Sequence, residues 1–413
     1  MALPCDELLA LIERIKEQDM KVQAWRAFPD ENAMNCPPNG EFQHAVGPLS
    51  GLTVGVKDII DVAGIPTRHG SAIYENAPAA IADAECVRLM RAAGATIVGK
   101  TVTTELATFV PSVTRNPRNL DHTPGGSSSG SAAAVAAGHV DIALGTQTAG
   151  SIIRPAAYCG VFGFKPSFGL VPRGGVKIQS ETLDTVGVFA RSIAHCEAWL
   201  AAMLGQDVLS NKSAVSEERK LRIAVIADLS DLVSHDMQNV LQKAVDRLTA
   251  TGHLVSNRSP SLSKFNLSEQ QQVIQNFETA RAYCSLLQFQ PTNVNSDLRK
   301  VLVEGSHIPY RQYLEALEFA NAARGYVADL FSGIDAILLP SAPDAAPLGN
   351  STTGSPSLNR FASVMHLPAL NMPAMQNVDG LPMGLQLVGA YASDLQFLKI
   401  AQRLYLAIEE TAA

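Results

Sequence analysis

The chain has 413 residues, 46% hydrophobic and 17% charged, with a formal net charge of −7. That is enough chain for a large core, and the acidic balance argues against nucleic acid or an anionic membrane as the main partner. No run of about 18 uninterrupted apolar residues is present and no basic stretch precedes an apolar one at the start, so neither a membrane span nor a signal peptide is expected, and the expected location is the cytoplasm.

Taken in chain order, residues 5–28 carry Leu8, Leu9, Ile12 and Ile15 at helical spacing and predict one or two helices. A polar, Pro-containing link follows over 32–48. The Val/Ile/Thr-rich segments 53–60 and 95–101 read as buried strands flanking a helix near 83–93. Residues 111–126 carry three prolines and read as an ordered loop, and Ala-rich 132–137 as helix. Strands are expected at 141–146 and 160–165. A polar stretch over 206–220 precedes a strand at 221–227. Helices are predicted at 235–251, 269–289 and 310–331, late strands at 334–340 and 383–388, and a closing helix at 393–408. Strands alternating with helices imply an α/β sheet covered on both faces.

Three residues stand out as a chemical set. Lys57 ends the apolar run 51–56, Ser127 opens a serine run after Pro124-Gly125-Gly126, and Ser151 follows Gly145-Thr146-Gln147-Thr148-Ala149-Gly150. An amine, a relay hydroxyl and a nucleophilic hydroxyl suffice for acyl transfer without metal or histidine. Lysine acts as a base only when neutral, so burial must depress its pKa; from sequence, both a buried and an exposed Lys57 are open. The glycines allow a tight turn before Ser151, whose successive N–H groups would form an oxyanion hole, assigned to Thr148, Ala149, Gly150 and Ser151. Six widely spaced cysteines without Cys-x-x-Cys support neither a disulfide framework nor zinc. Nine scattered histidines give no metal site, and no cofactor is expected.

Competing patterns exist. Gly126-Ser127-Ser128-Ser129-Gly130 fits the nucleophile elbow with Ser128 as nucleophile, but lacks the strand that must precede it. Ser261-Leu262-Ser263-Lys264 fits the Ser-x-x-Lys spacing without a Lys-Thr-Gly partner. The Gly/Ser loop lacks the Gly-Lys-Ser/Thr ending of a P-loop.

The motifs Gly51-x-x-x-Gly55-x-Lys57-Asp58, Gly94-Ala-x-x-x-Gly99-Lys100, Gly125-Gly126-Ser127-Ser128-Ser129-Gly130, Gly145-x-x-x-x-Gly150-Ser151, Gly160-x-x-Gly163-x-Lys165-Pro166 and Gly380-Leu-Pro382-x-Gly384-x-Gln386 together resemble the amidase signature family. The resemblance implies an α/β/α fold with a mixed central sheet, in one domain over 1–413: N-terminal helices (1–48), a catalytic core (49–205), a variable helical region (206–330) and a C-terminal completion of the sheet (331–413). It implies Ser151 as nucleophile, Ser127 as relay on a cis Gly126–Ser127 bond, and Lys57 as general base.

Gln147 and Ala149 depart from the family's usual Asp-x-Gly-Gly-Ser. Ala149 fits the loop only with a negative φ. The variant looks most like malonamidase-type enzymes, with Arg154 and Gln275 on a substrate carboxylate; a structural ion pair for Arg154 and a plain helix-face glutamine at 275 are the competing readings. The expected reaction is hydrolysis of a small aliphatic amide, a malonamate-like monoamide, to carboxylate and ammonia. The alternatives are a subunit of a multi-protein amidotransferase, for which the chain is short, and a ureide (biuret-type) hydrolase. A homodimer is left open.

Overall fold

The computed structural model describes residues 3–30, 46–205, 219–226, 231–258, 266–289 and 294–409. The strands are β1 (Trp25–Ala27), β2 (Thr53–Lys57), β3 (Thr96–Thr101), β4 (Ile142–Gln147), β5 (Phe162–Lys165), β6 (Thr185–Ala190), β7 (Arg222–Val225), β8 (Leu254–Asn257), β9 (Ala336–Pro340), β10 (Ala369–Gln376) and β11 (Pro382–Val388). The helices are α1 (Cys5–Gln18), α2 (Glu85–Ala92), α3 (Ser129–Ala136), α4 (Ile153–Cys159), α5 (Ile193–Leu204), α6 (His235–Ala250), α7 (Leu267–Phe289), α8 (Ser296–Ser306), α9 (Tyr310–Arg324), α10 (Val327–Leu330), α11 (Arg360–Val364) and α12 (Asp394–Glu409).

Among the described residues the strands form one mixed sheet in the order β1-β3-β2-β4-β6-β5-β10-β11-β9-β7-β8. Two parallel wings, β3/β2/β4 and β9/β7/β8, are joined through antiparallel β6, β5, β10 and β11. Successive strand residues face opposite sides of a sheet. Ile142 and Leu144 of β4 accordingly join one core with Val54 and Val56 of β2, together with residues of α2, α5, α6 and α12. Ala143, between them, joins a second core with residues of α1 and α3. Beyond it, Ile337 and Leu339 of β9 pack with residues of α9 and α11. Both faces are therefore covered.

That alternation aims the site. Val54 and Val56 face the α2/α5 side, so Gly55 and Lys57 face the α3 side, where a Cβ on Gly55 would meet Trp25 and Ala143. Lys57 and Gln147 close the parallel neighbours β2 and β4. Their carboxyl ends form the kind of crevice in which open α/β sheets place ligands.

Several elements differ from expectation. Residues 5–28 form one helix and then strand β1, because Asp19 ends the helix by accepting from the N–H groups of Ala24 and Trp25 and turning the chain back. Strand β7 lies within the expected 221–227, but β8, which was not expected, pairs with β7 and carries the sheet one strand beyond it. The 310–331 helix breaks after Arg324 into α9 and α10. Cys5 is disulfide-bonded, while Cys86, Cys159, Cys196 and Cys284 are free. Ser261-Leu262-Ser263-Lys264 and most of the two polar links lie outside the described residues. Within the described residues no helix is long and apolar enough to cross a membrane.

Candidate active site

Lys57 is fully buried at the end of β2. Its Nζ lies 2.8 Å from Ser127 Oγ and 2.9 Å from Thr146 Oγ1, with no carboxylate in contact among the described residues. Burial without a partner anion disfavours the ammonium form and pulls its pKa down to about 7, against the opposing pull of the Asp184 charge. The sequence left Lys57's burial open; the structure closes it.

The serine run divides by function of place. Ser127 faces Lys57, and the Gly126–Ser127 peptide is cis. The carbonyls on both sides of that bond are held: Gly126 O accepts from Arg154 Nη2 at 2.6 Å, and Ser127 O from Thr104 N at 3.1 Å and Thr103 Oγ1 at 3.3 Å. Ser128 Oγ is tied to the backbone of Thr146, Ser129 to Ser112, and Ser131 to Thr101 and the Leu144 carbonyl. Ser128 is fully buried in those bonds, which removes the elbow reading.

Ser151 is half-buried on the turn from β4 into α4, and its hydroxyl bonds no other described residue. It is bracketed by two contacts to the same centre: Thr146 on Lys57 before it, and Arg154 on the Gly126 carbonyl after it. The turn is pinned by its carbonyls. Thr148 O accepts from Gln271 Nε2 (3.2 Å), Ala149 O from Ser363 Oγ (2.7 Å) and Gly150 O from Arg154 N (3.0 Å). With the carbonyls held, the N–H groups of Thr148, Ala149, Gly150 and Ser151 donate to no other described residue. Free, preorganised backbone donors of this kind are what an oxyanion hole is built from. Ala149 is absent from the residues with positive φ, so its side chain is tolerated. Gly150 is required for space: a Cβ there would sit 2.4 Å from Asn359 Oδ1.

Gln147 explains its own departure from the family pattern. Its Oε1 accepts from Ile152 N (2.9 Å) and Ile153 N (3.0 Å) at the start of α4, satisfying donors that a helix leaves orphaned. Its Nε2 donates to Ser363 Oγ (3.0 Å), which a carboxylate could not do. Ser363 in turn donates to Ala149 O.

Arg154 is 4% exposed and has no acid partner among the described residues, which leaves the ion-pair reading without support. Nη2 bonds Gly126 O and Thr353 Oγ1, while Nε and Nη1 are buried without a partner. Burial lowers its pKa to about 10, which leaves it charged. Gln275, on α7, is 8% exposed and accepts from Gln271 Nε2 at 2.9 Å, so it reaches the nucleophile turn through Gln271.

Sequence reasoning missed Thr146, Asp184, Gln271 and Ser363. Asp184 accepts from Thr148 Oγ1 (2.5 Å), Gln179 N (2.7 Å) and Ser180 N (3.1 Å), and burial raises its pKa. A Leu-Asp pair just before the apolar run 185–190 was the only available signal for Asp184.

The mixed sheet, the family match and the solved relatives that follow place the chain among hydrolases of amide bonds. The chain belongs to the Amidase family, whose profile matches residues 6–398. It is 31% identical to the A-type subunit of glutamyl-tRNA(Gln) amidotransferase from Saccharolobus solfataricus, over 86% of this chain and 83% of that one. With the same subunit from Sulfurisphaera tokodaii it shares 29% identity over 95% and 92%. It therefore spans most of these subunits' length, so its shortness does not set it apart from them. A solved amidase superposes with a TM-score of 0.84 at 29% identity, covering 96% of this chain and 95% of that chain.

Proposed function

We propose that this protein hydrolyses amides through an acyl-Ser151 intermediate, with Lys57 as the base and Ser127 as the relay. The observation that carries this reading is the buried Lys57 Nζ, 2.8 Å from Ser127 Oγ and without a carboxylate partner. Neutral Lys57 takes the Ser127 proton as Ser127 takes that of Ser151, and Ser151 Oγ bonds the amide carbon. The resulting oxyanion lies against the N–H groups of residues 148–151. The same path returns the proton to the departing amine, the C–N bond breaks, and water then clears the acyl group by the reverse sequence.

Arg154 supports an amide that also carries a carboxylate. Two of its guanidinium nitrogens are buried without an acceptor, and a carboxylate would satisfy them. Such a substrate is a monoamide of a short dicarboxylic acid, with Gln275 as a second contact.

The relatives favour a second reading of the setting over a free malonamate hydrolase: a subunit that makes ammonia for a partner in a multi-protein amidotransferase. Ammonia release should be measured on malonamate and on a neutral amide of similar size, before and after co-purifying proteins are removed. Activity that survives purification and prefers malonamate supports the free enzyme. Activity lost with a partner and restored by it supports the amidotransferase setting. No ammonia from any amide under either condition would overturn the hydrolytic reading.

A further inference from the structure

Away from the triad, a cavity of about 450 Å³ opens between α9, α10, α11 and the start of the turn before α12. Its walls include Val327, Phe331 and Met365, with Arg324, His366 and Tyr391 at its polar end. That volume and mixed lining fall within the range of small-molecule sites, about 300–1,000 Å³.

The polar end is cationic. Arg324 Nε donates to Val364 O at 2.9 Å and Nη1 to Asn321 Oδ1 at 2.7 Å, while Nη2 is buried without a partner. No acid pairs with it among the described residues. Glu278 is the acid whose charge reaches Arg324, but its oxygens are already taken by Ser180, Thr182 and Tyr313. His366 Nε2 bonds the Thr182 carbonyl at 2.8 Å. Burial, then the charges of Arg324, Lys165 and Arg173, push its pKa down to about 3 and keep it neutral. Arg324 thus brings positive charge to the cavity lining, and the charges of Lys165 and Arg173 also reach His366.

We propose that this cavity binds a small carboxylate with an apolar tail, the carboxylate on Arg324 and the tail against Val327, Phe331 and Met365. A guanidinium that no acid neutralises among the described residues attracts a carboxylate by its charge, and the aliphatic and aromatic walls leave water little to gain by filling the rest. The site is wired to the nucleophile turn. Arg324 holds the Val364 carbonyl, and the neighbouring Ser363 holds the Ala149 carbonyl.

Calorimetric titration of the full chain with octanoate, octan-1-ol and acetate tests this without relying on any enzymatic reading. Octanoate is expected to bind, at least tenfold more tightly than either control. Arg324→Gln should weaken it at least tenfold, Ala328→Trp on the exposed side of α10 should block it, and Arg154→Gln should leave it unchanged. Ala328→Trp answers the question even if Arg324→Gln fails to fold. Absence of octanoate binding, equal binding of octan-1-ol, or loss of binding in Arg154→Gln rather than in the cavity variants would overturn the proposal.

Discussion

Lys57 Nζ and Ser127 Oγ, both buried, stand 2.8 Å apart, and among the described residues Thr146 Oγ1 is the other polar contact of Lys57. As the proposed base Lys57 would work unprotonated, and burial lowers its pKa to about 7. Below that value the amine is an ammonium and cannot accept the Ser127 proton, so kcat/KM should rise with pH through about 7 and fall about tenfold per unit below it. Lys57→Ala should lower kcat/KM by several orders of magnitude at pH 8. A pH–rate curve without an inflection near 7, or a Lys57→Ala variant that keeps both rate and profile, would remove Lys57 from the chemistry.

Asp184 opposes that depression. Its charge favours protonated Lys57, and its carboxylate also holds Thr148, the first residue of the nucleophile turn. In Asp184→Asn the opposing charge is gone, so the Lys57 pKa falls further and the rising limb of the pH–rate curve moves to lower pH. Charged hydrogen bonds are worth about 1.5–3 kcal/mol, so a loss of roughly tenfold to a hundredfold in kcat should accompany the shift. A slower variant with an unmoved limb would mean that Asp184 acts only by holding the turn.

What the sequence made legible was the set of local patterns. The short Val/Ile/Thr runs of β2 and β3, the amphipathic α6 and the glycine-flanked serines all announce themselves within a few residues. The rest depends on distant parts of the chain. β6 is buried at every position, so it shows no alternation, and Gly187 lowers its strand character. β10 carries Pro373 at an irregularity in its pairing with β11. α4 has only seven residues, with Pro155 in its first turn. Gln147 and Ser363 are 216 residues apart and meet only because α11 lies against the β4–α4 turn. No spacing rule reaches across that interval, and for the same reason Asp184 and Gln271 look like ordinary polar residues until the fold gathers them.

Gln147 and Ala149 are expected to be coupled. Gln147 orients Ser363, and Ser363 fixes the Ala149 carbonyl. Gln147→Ala strands the buried N–H groups of Ile152 and Ile153 and should destabilise the fold by about 2 kcal/mol or more. Gln147→Glu keeps the acceptor for those N–H groups but cannot donate to Ser363. It should therefore retain more stability than the alanine variant while losing turnover. Thermal denaturation alongside kcat separates the two effects; equal stability of the two variants would show that the bonds to Ile152 and Ile153 carry no weight.

Arg154 serves two contacts, and they can be separated. Nη2 holds the Gly126 carbonyl next to Ser127, a bond whose loss should act on every substrate alike, whereas Nε and Nη1 have no acceptor among the described residues. Arg154→Ala should therefore lower kcat for all amides by loosening the relay serine. On an anionic amide it should also raise KM, because a buried carboxylate loses its counter-charge. A charged hydrogen bond of about 1.5–3 kcal/mol corresponds to roughly tenfold to a hundredfold in the ratio of kcat/KM between anionic and neutral substrates. The ratio, rather than either rate, is the informative quantity, since the shared loss cancels in it. A fall in the ratio assigns Arg154 to substrate recognition; an unchanged ratio with both rates reduced leaves it only the Gly126 carbonyl.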